Sequence, residues 1–275
     1  MASTFCAHAL ASGSTGNSIL IRNGATNILI DAGITIKSLS EALTSHGLGL
    51  SSLDAILITH EHGDHTKSAL ALSKRYGVRL IANADTLDSL FKSADRSPHS
   101  VLQTERSLEI GSLIVSTFSV PHDAIDPVGV CVVDSERGYK ICVITDAGHV
   151  TETMRRAVDG SHLLVIEANH DVHRLHRGSY PGPLKARILS DTGHLSNETA
   201  VGLVCEHARQ HGPHTAWLAH LSKENNTPKL ALGYAKATVN VETGCPIVLD
   251  VARRDRPSAQ WSPCNATLQL NLFTG

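Results

Sequence analysis

The chain has 275 residues, 41% hydrophobic and 18% charged, with a formal net charge of −2. That length buries a sizeable core, and the near-balanced charge argues against a protein that coats nucleic acid by electrostatics alone. Aromatic residues are only 4%, too few for a base-stacking platform to dominate, whereas histidine is abundant at 17 copies.

The N-terminal stretch MASTFCAHALASGSTGNS lacks the basic start and unbroken apolar run of a signal peptide. No apolar run approaches the roughly 18 residues of a membrane span, so a cytoplasmic protein without membrane contact is expected. The six cysteines are scattered with no C-x-x-C pair, which fits reduced thiols and not a zinc ribbon. The first third of the chain reads as strands: STFCAHAL, SILIR and ATNILID, the last two joined by a type I′ hairpin at Asn23-Gly24. A helix is expected over about 38–46, opened by the capping-box pattern Ser38-x-x-Glu41 and stopped by Gly47. Leu39, Ala42, Leu43 and His46 make its buried stripe. Strand DAILIT follows, then a helix over about 66–76 with Ala69, Leu72 and Tyr76 on one face. Strands SLIVSTFSV, VGVCVVD and YKICVIT come next, then a helix at 151–158, strand HLLVIEA, and a helix at 197–210 behind Ser196. Strand TAWLA, a helix opened by Thr227-Pro228 and strand PIVLDVA complete a mixed α/β chain with two strand-rich halves. One domain over 1–255 is expected, with a loosely ordered tail at 256–275.

Four strands end in residues that bind metals. His60, His62, Asp64 and His65 follow DAILIT; His122 follows STFSVP; Asp146 follows YKICVIT; His220 follows TAWLA. A sheet edge can fix several ligands closely. Five histidines and two aspartates are too many for one tetrahedral ion. They suit two divalent ions bridged by a carboxylate, and imidazole with carboxylate favours zinc, manganese or iron.

LIDAG, THEHGDH, VPHDA, ITDAG and LAHLS resemble the five motifs of the metallo-β-lactamase superfamily. The resemblance implies a four-layer αββα sandwich: two mixed β-sheets flanked by helices. It implies that His60, His62 and His122 hold one metal, that Asp64, His65 and His220 hold the other, and that Asp146 bridges them. Asp31 would orient a ligand histidine or its loop. LASGSTGNS, EANHD, YPGPLKARILSDTGHLSN and LAHLSKENN are similar to the YycJ/WalJ-like branch, whose members resemble 5′→3′ exonucleases. This similarity runs to about residue 255.

Other chemistries of the superfamily fit less well. No export signal is present, and only 73 residues separate Asp146 from His220, too few for a β-CASP insertion. A long transfer-RNA-gripping arm and a glutathione-binding helical region are also absent from the sequence. Phosphodiester hydrolysis leads, with a hydroxide between the two metals as nucleophile. Asp64 and His194 are the catalytic candidates. His194 lies outside the metal set, just before the helix that Ser196 caps, and suits the role of general acid. Ser196 and Asn197, at a helix N-terminus, are expected to bind substrate phosphate. Lys185 and Arg187, beside Arg174 and Arg177, are expected to track a backbone. The partner is then DNA, or a nucleotide; a homodimer is an open assembly. The competing function is a phosphodiesterase of small cyclic nucleotides on the same metal centre. A non-catalytic scaffold is disfavoured by the intact ligand set.

Overall fold

A computed structural model describes residues 4–91, 97–212 and 214–265. In chain order the first strands are β1 (Cys6–Ala11), β2 (Ser18–Asn23), β3 (Thr26–Ile30), β4 (Ala55–Leu57), β5 (Arg79–Ala82) and β6 (His99–Val101). Then come β7 (Ser107–Ile110), β8 (Leu113–Ser119), β9 (Val128–Asp134), β10 (Lys140–Ile144), β11 (Leu163–Glu167), β12 (Thr215–Ala219) and β13 (Val248–Val251). The last strand, β14 (Gln260–Trp261), returns to pair with β1, so the two sheets are ordered β14-β1-β2-β3-β4-β5-β6 and β13-β12-β11-β10-β9-β8-β7. Helices α1 (Ile36–Ser45), α2 (Gly63–Thr66), α3 (Ala69–Tyr76) and α4 (Ala84–Leu90) belong to the first half. Helices α5 (Glu152–Val158), α6 (Val172–Arg177), α7 (Gly182–Ile188), α8 (Asn197–His211) and α9 (Pro228–Glu242) belong to the second.

Each sheet is antiparallel along its first strands and parallel along its later ones. The apolar runs are nearly continuous because the strands are covered on both faces. One face of each sheet packs against the other sheet, burying Phe5, Ile21, Ile28, Val130, Val143, Val165 and Trp217. The outer face of the first sheet buries Leu20, Leu29 and Ile56 with Leu39 and Leu43 of α1, Leu72 of α3 and Leu87 of α4. On the other side, Cys142, Ile144 and Leu164 pack with Met154 of α5, Val204 of α8 and Ala235 of α9. This is the expected four-layer αββα sandwich.

The strand directions place the site. β10, β11 and β12 run parallel, and β8 runs the same way because two antiparallel steps separate it from β10. Their C-terminal ends therefore share one edge of the second sheet, the usual place for function in parallel sheets.

Several local expectations shift. The hairpin loop between β2 and β3 is Gly24-Ala25, closed by the Asn23–Thr26 pair, and only Gly24 has positive φ (60°). A type I′ turn needs both central residues there and is not adopted. Thr35, not Ser38, caps α1: its side chain accepts the Ser38 amide. The helix expected at 66–76 breaks at Ser68, whose hydroxyl donates to the Ile34 carbonyl, and Tyr76 is 41% exposed. Elements β5, α4, β6, β7, α6 and α7 were not expected. Each has seven residues or fewer, too short to show a clear hydrophobic period. The tail expected to be loose instead buries Ala259 and Trp261 at β1; residues 266–275 lie outside the described residues.

Candidate metal centre

At the end of β4 the chain turns so that His60, His62, Asp64 and His65 lie in six consecutive positions, with α2 carrying the last two. Gly33 allows this loop to close in, since a Cβ there would meet the Asp64 carbonyl oxygen at 1.6 Å. The structure brings His60, His62 and His122 together, with one ligand atom of each within 4.8 Å of the others. Asp64, His65 and His220 form a second such group. Asp146 has an oxygen in the same range of His60 and His65, and also of His220. It therefore stands between the two sets.

Hydrogen bonds behind the site fix which nitrogen of His60, His65, His122 and His220 faces inward. His122 Nδ1 is 3.1 Å from the Gly193 carbonyl, and His60 Nδ1 is 3.0 Å from Thr59 Oγ1. His65 Nδ1 is held by Asp31 at 2.7 Å, while Asp31 also accepts the Thr59 amide at 2.9 Å. Asp31 and His220 adopt positive φ, 61° and 50°, a backbone state uncommon outside glycine and often found at functional sites. The amide of His220 donates to Ser12 Oγ at 2.8 Å.

Sequence reasoning missed Glu167 as a site residue. It ends β11 and is fully buried. One carboxylate oxygen lies 2.8 Å from Nδ1 of both His194 and His220; the other accepts the amides of Ala147 and Leu195 at 3.1 Å. Its signal was available: like Asp146, it is an acid at the end of a parallel strand. Asn17, from the β1–β2 loop, was also missed. Its Nδ2 lies 3.0 Å from His65 Nε2, and its Oδ1 accepts the Gly13 amide at 2.8 Å.

The side chains fit a divalent cation. His60 Nε2, His220 Nε2 and Asp146 Oδ2 are buried, converge on the site and have no hydrogen-bond partner; such orphaned groups cost about 1–3 kcal/mol each. Asp146 Oδ2 and His65 Nε2 are 2.9 Å apart without hydrogen-bond alignment. Burial opposes charge on His65, yet Asp31 and Asp146 push its pKa up to about 10. A ring whose Nδ1 serves Asp31 needs a proton or a metal ion at Nε2 to face that carboxylate. Burial, with His65 next to it, holds His60 well below the usual imidazole range, so it presents a neutral lone pair. Burial works against the Asp146 carboxylate, but His220 and His65 keep it ionised. Imidazole and carboxylate are the donor types that zinc, manganese and iron share.

The remaining predicted residues divide. His194 lies at the site, its Nδ1 3.3 Å from Asp146 and its side chain 23% exposed. Ser196 caps α8, accepting the Thr199 amide at 3.2 Å. Asn197 is 1% exposed and bonded to Asn226 through both ends of its amide. Arg187 is paired with Asp123 at 2.5 Å, and Lys185 donates to the His176 carbonyl at 2.8 Å. Both lie on α7.

Residues 26–221 match the beta-lactamase superfamily domain, and that span contains the whole histidine–aspartate set. The chain belongs to this superfamily and is a metal-dependent hydrolase. Among its relatives, it is 38% identical over 229 residues to exodeoxyribonuclease WalJ of Streptococcus pneumoniae (strain D39), covering 81% of this chain and 83% of that one. It is 34% identical over 225 residues to exodeoxyribonuclease YycJ of Bacillus anthracis, covering 81% and 84%. The fold matches zinc-bound PqqB from Methylobacterium extorquens with a TM-score of 0.71 at 17% identity, over 94% of this chain and all of that one. It matches YhfI from Bacillus subtilis at 0.70 and 15%, over 94% and 99%. Among the described residues no helix is long and apolar enough to cross a membrane.

Proposed function

We propose that the protein is a dinuclear-metal 5′→3′ DNA exonuclease. The observation that carries this reading is the similarity to two exodeoxyribonucleases over four-fifths of the chain, in a span that includes every residue of the buried donor set. His60, His62 and His122 hold one ion, Asp64, His65 and His220 the other, and Asp146 serves both; zinc or manganese suits the donors, with iron as the third choice. Bound there, two ions supply Lewis acidity to the phosphodiester and to a water molecule at neutral pH.

The chain's own groups do the rest. Asp64, 26% exposed and 3.6 Å from His220 Nε2, is the carboxylate at the mouth of the site and orients the attacking water. His194 is the general acid. Burial disfavours its charge, but Glu167 and Asp146 push its pKa up to about 10, and the Glu167 carboxylate at 2.8 Å favours the protonated ring this role needs. With Nδ1 committed to Glu167, its Nε2 holds the proton that neutralises the leaving sugar oxygen. Ser196 sets the angle of α8 behind His194 through its cap.

The test is to incubate metal-loaded protein with end-labelled duplex DNA and, separately, with cyclic nucleotides. Mononucleotides released from the 5′ end are the expected result. Rapid opening of a cyclic mononucleotide with DNA left intact would overturn it in favour of the small-substrate phosphodiesterase.

A further inference from the structure

Three of the four cations expected to track a nucleic-acid backbone are engaged within the chain. Arg187 is neutralised by Asp123, Lys185 is tied to a carbonyl, and Arg174 donates to the Glu224 carbonyl at 3.1 Å. A different set of cations lines a cavity of about 410 Å³. The cavity lies between the β1–β2 loop, one face of α1, the α2–α3 junction and the segment after β13. Thr15, Thr35 and Ser38 supply hydroxyls, and Lys67, Arg254 and Arg256 supply positive charge. Glu41 and Asp255 also line it, and Glu41 lies 4.0 Å from Lys37 on the surface of α1.

Three features connect this cavity to the site. Thr15 belongs to the loop whose ends, Ser12 and Asn17, touch His220 and the Asp64–His65 pair. Lys67 is two residues beyond the ligand candidate His65, is exposed, and is paired with no acid among the described residues. Arg254 is fixed: its stem packs on Gly13, where a Cβ would meet it at 3.1 Å, and one terminal nitrogen donates to the Leu221 carbonyl at 3.1 Å. Leu221 follows His220 directly. Arg254 lines the cavity, its Nε is buried without a partner, and no acid pairs with its guanidinium among the described residues. An arginine held rigid with unspent donors is suited to bind a phosphate.

We propose that this cavity is a backbone subsite, taking phosphates of the DNA strand next to the scissile one; it rests on the nuclease reading above. Lys67 and Arg256 neutralise the strand, and Arg254 sets its register against the metal centre through Leu221. The segment after β13 thereby becomes part of substrate binding, although it lies beyond the matched superfamily domain, which ends at residue 221.

The experiment measures binding of a 3′-labelled, phosphorothioate single-stranded oligonucleotide to the metal-loaded protein across a range of salt. Lys67→Ala/Arg256→Ala should weaken binding about 10-fold and flatten the slope of log affinity against log salt by about 1.4, the share of two phosphate contacts on a single strand. Lys229→Ala/Lys236→Ala removes two charges from the exposed face of α9 and should leave affinity and slope unchanged. Equal losses in both double variants, or no loss in the first, overturn the subsite. Binding needs no turnover, so the two readings separate. A wild type that binds but never cuts DNA refutes the nuclease alone. A wild type that cuts DNA while Lys67→Ala/Arg256→Ala binds as tightly refutes the subsite alone. A wild type with no oligonucleotide binding refutes both.

Discussion

Replacing Glu167 with glutamine tests how the metal centre is held from behind. The carboxylate accepts four hydrogen bonds, two at each oxygen: two imidazole Nδ1 groups at 2.8 Å and two backbone amides at 3.1 Å. A glutamine keeps one oxygen, so whichever way its amide turns, an NH2 group meets two donors. Two charge-assisted bonds are then lost, at about 1.5–3 kcal/mol each, which predicts about 3–6 kcal/mol of destabilisation. That is a large fraction of a typical total of roughly 5–15 kcal/mol. Where the NH2 group faces the imidazoles, His220 also loses the carboxylate that fixes its tautomer, and affinity for one ion should fall about 10–100-fold. Guanidinium unfolding of the metal-loaded variant at constant free metal, with elemental analysis after dialysis, reads both effects. An unchanged midpoint together with wild-type metal content would refute the role assigned to Glu167.

His194→Ala should slow DNA degradation by about 10²–10⁴-fold while largely sparing a nitrophenyl phosphodiester, whose leaving group needs no proton; equal losses on both substrates with metal content intact would remove the general-acid role. Asp146→Ala should abolish the cooperative uptake of two ions, measured by elemental analysis, because one carboxylate serves both sets. Acid should destabilise the protein through His207 and His214. Burial, with His211 adding to it, lowers His207 to about 4; burial and His207 lower His214 to about 3. A ring whose folded pKa lies below its unfolded value of about 6.5 contributes full stability above that pH and loses it as the pH falls. By pH 5 the loss is about 2 kcal/mol per ring, so His207→Gln/His214→Gln should show a flatter fall in urea midpoint between pH 7.5 and 5 than the wild type.

Much of this protein is legible in one dimension. Strands β2, β3, β4 and β8 to β12 announce themselves as apolar runs, because a strand covered on both faces has little choice of side chain. The ligand candidates stand at the ends of those runs, and residue type together with strand end is local information. Short elements escape for the opposite reason: β6 has three residues and α2 four, fewer than a period needs. Tertiary structure alone decided who meets whom. Glu167 is one acid among many until the parallel pairing of β11 with β10 and β12 sets it between His194 and His220. Asn197 looked free at a helix start until Asn226, 29 residues on, bonded to it. Arg187 is a lone cation in the sequence, and α7 sets it against Asp123, 64 positions earlier. Thr15, Lys67 and Arg254 share a cavity only because β14 brings the end of the chain back to β1. Periodicity and residue type are properties of neighbours along the chain. Which charges cancel and which remain free depends on strand pairings between distant segments, and those exist only once the sheets have closed.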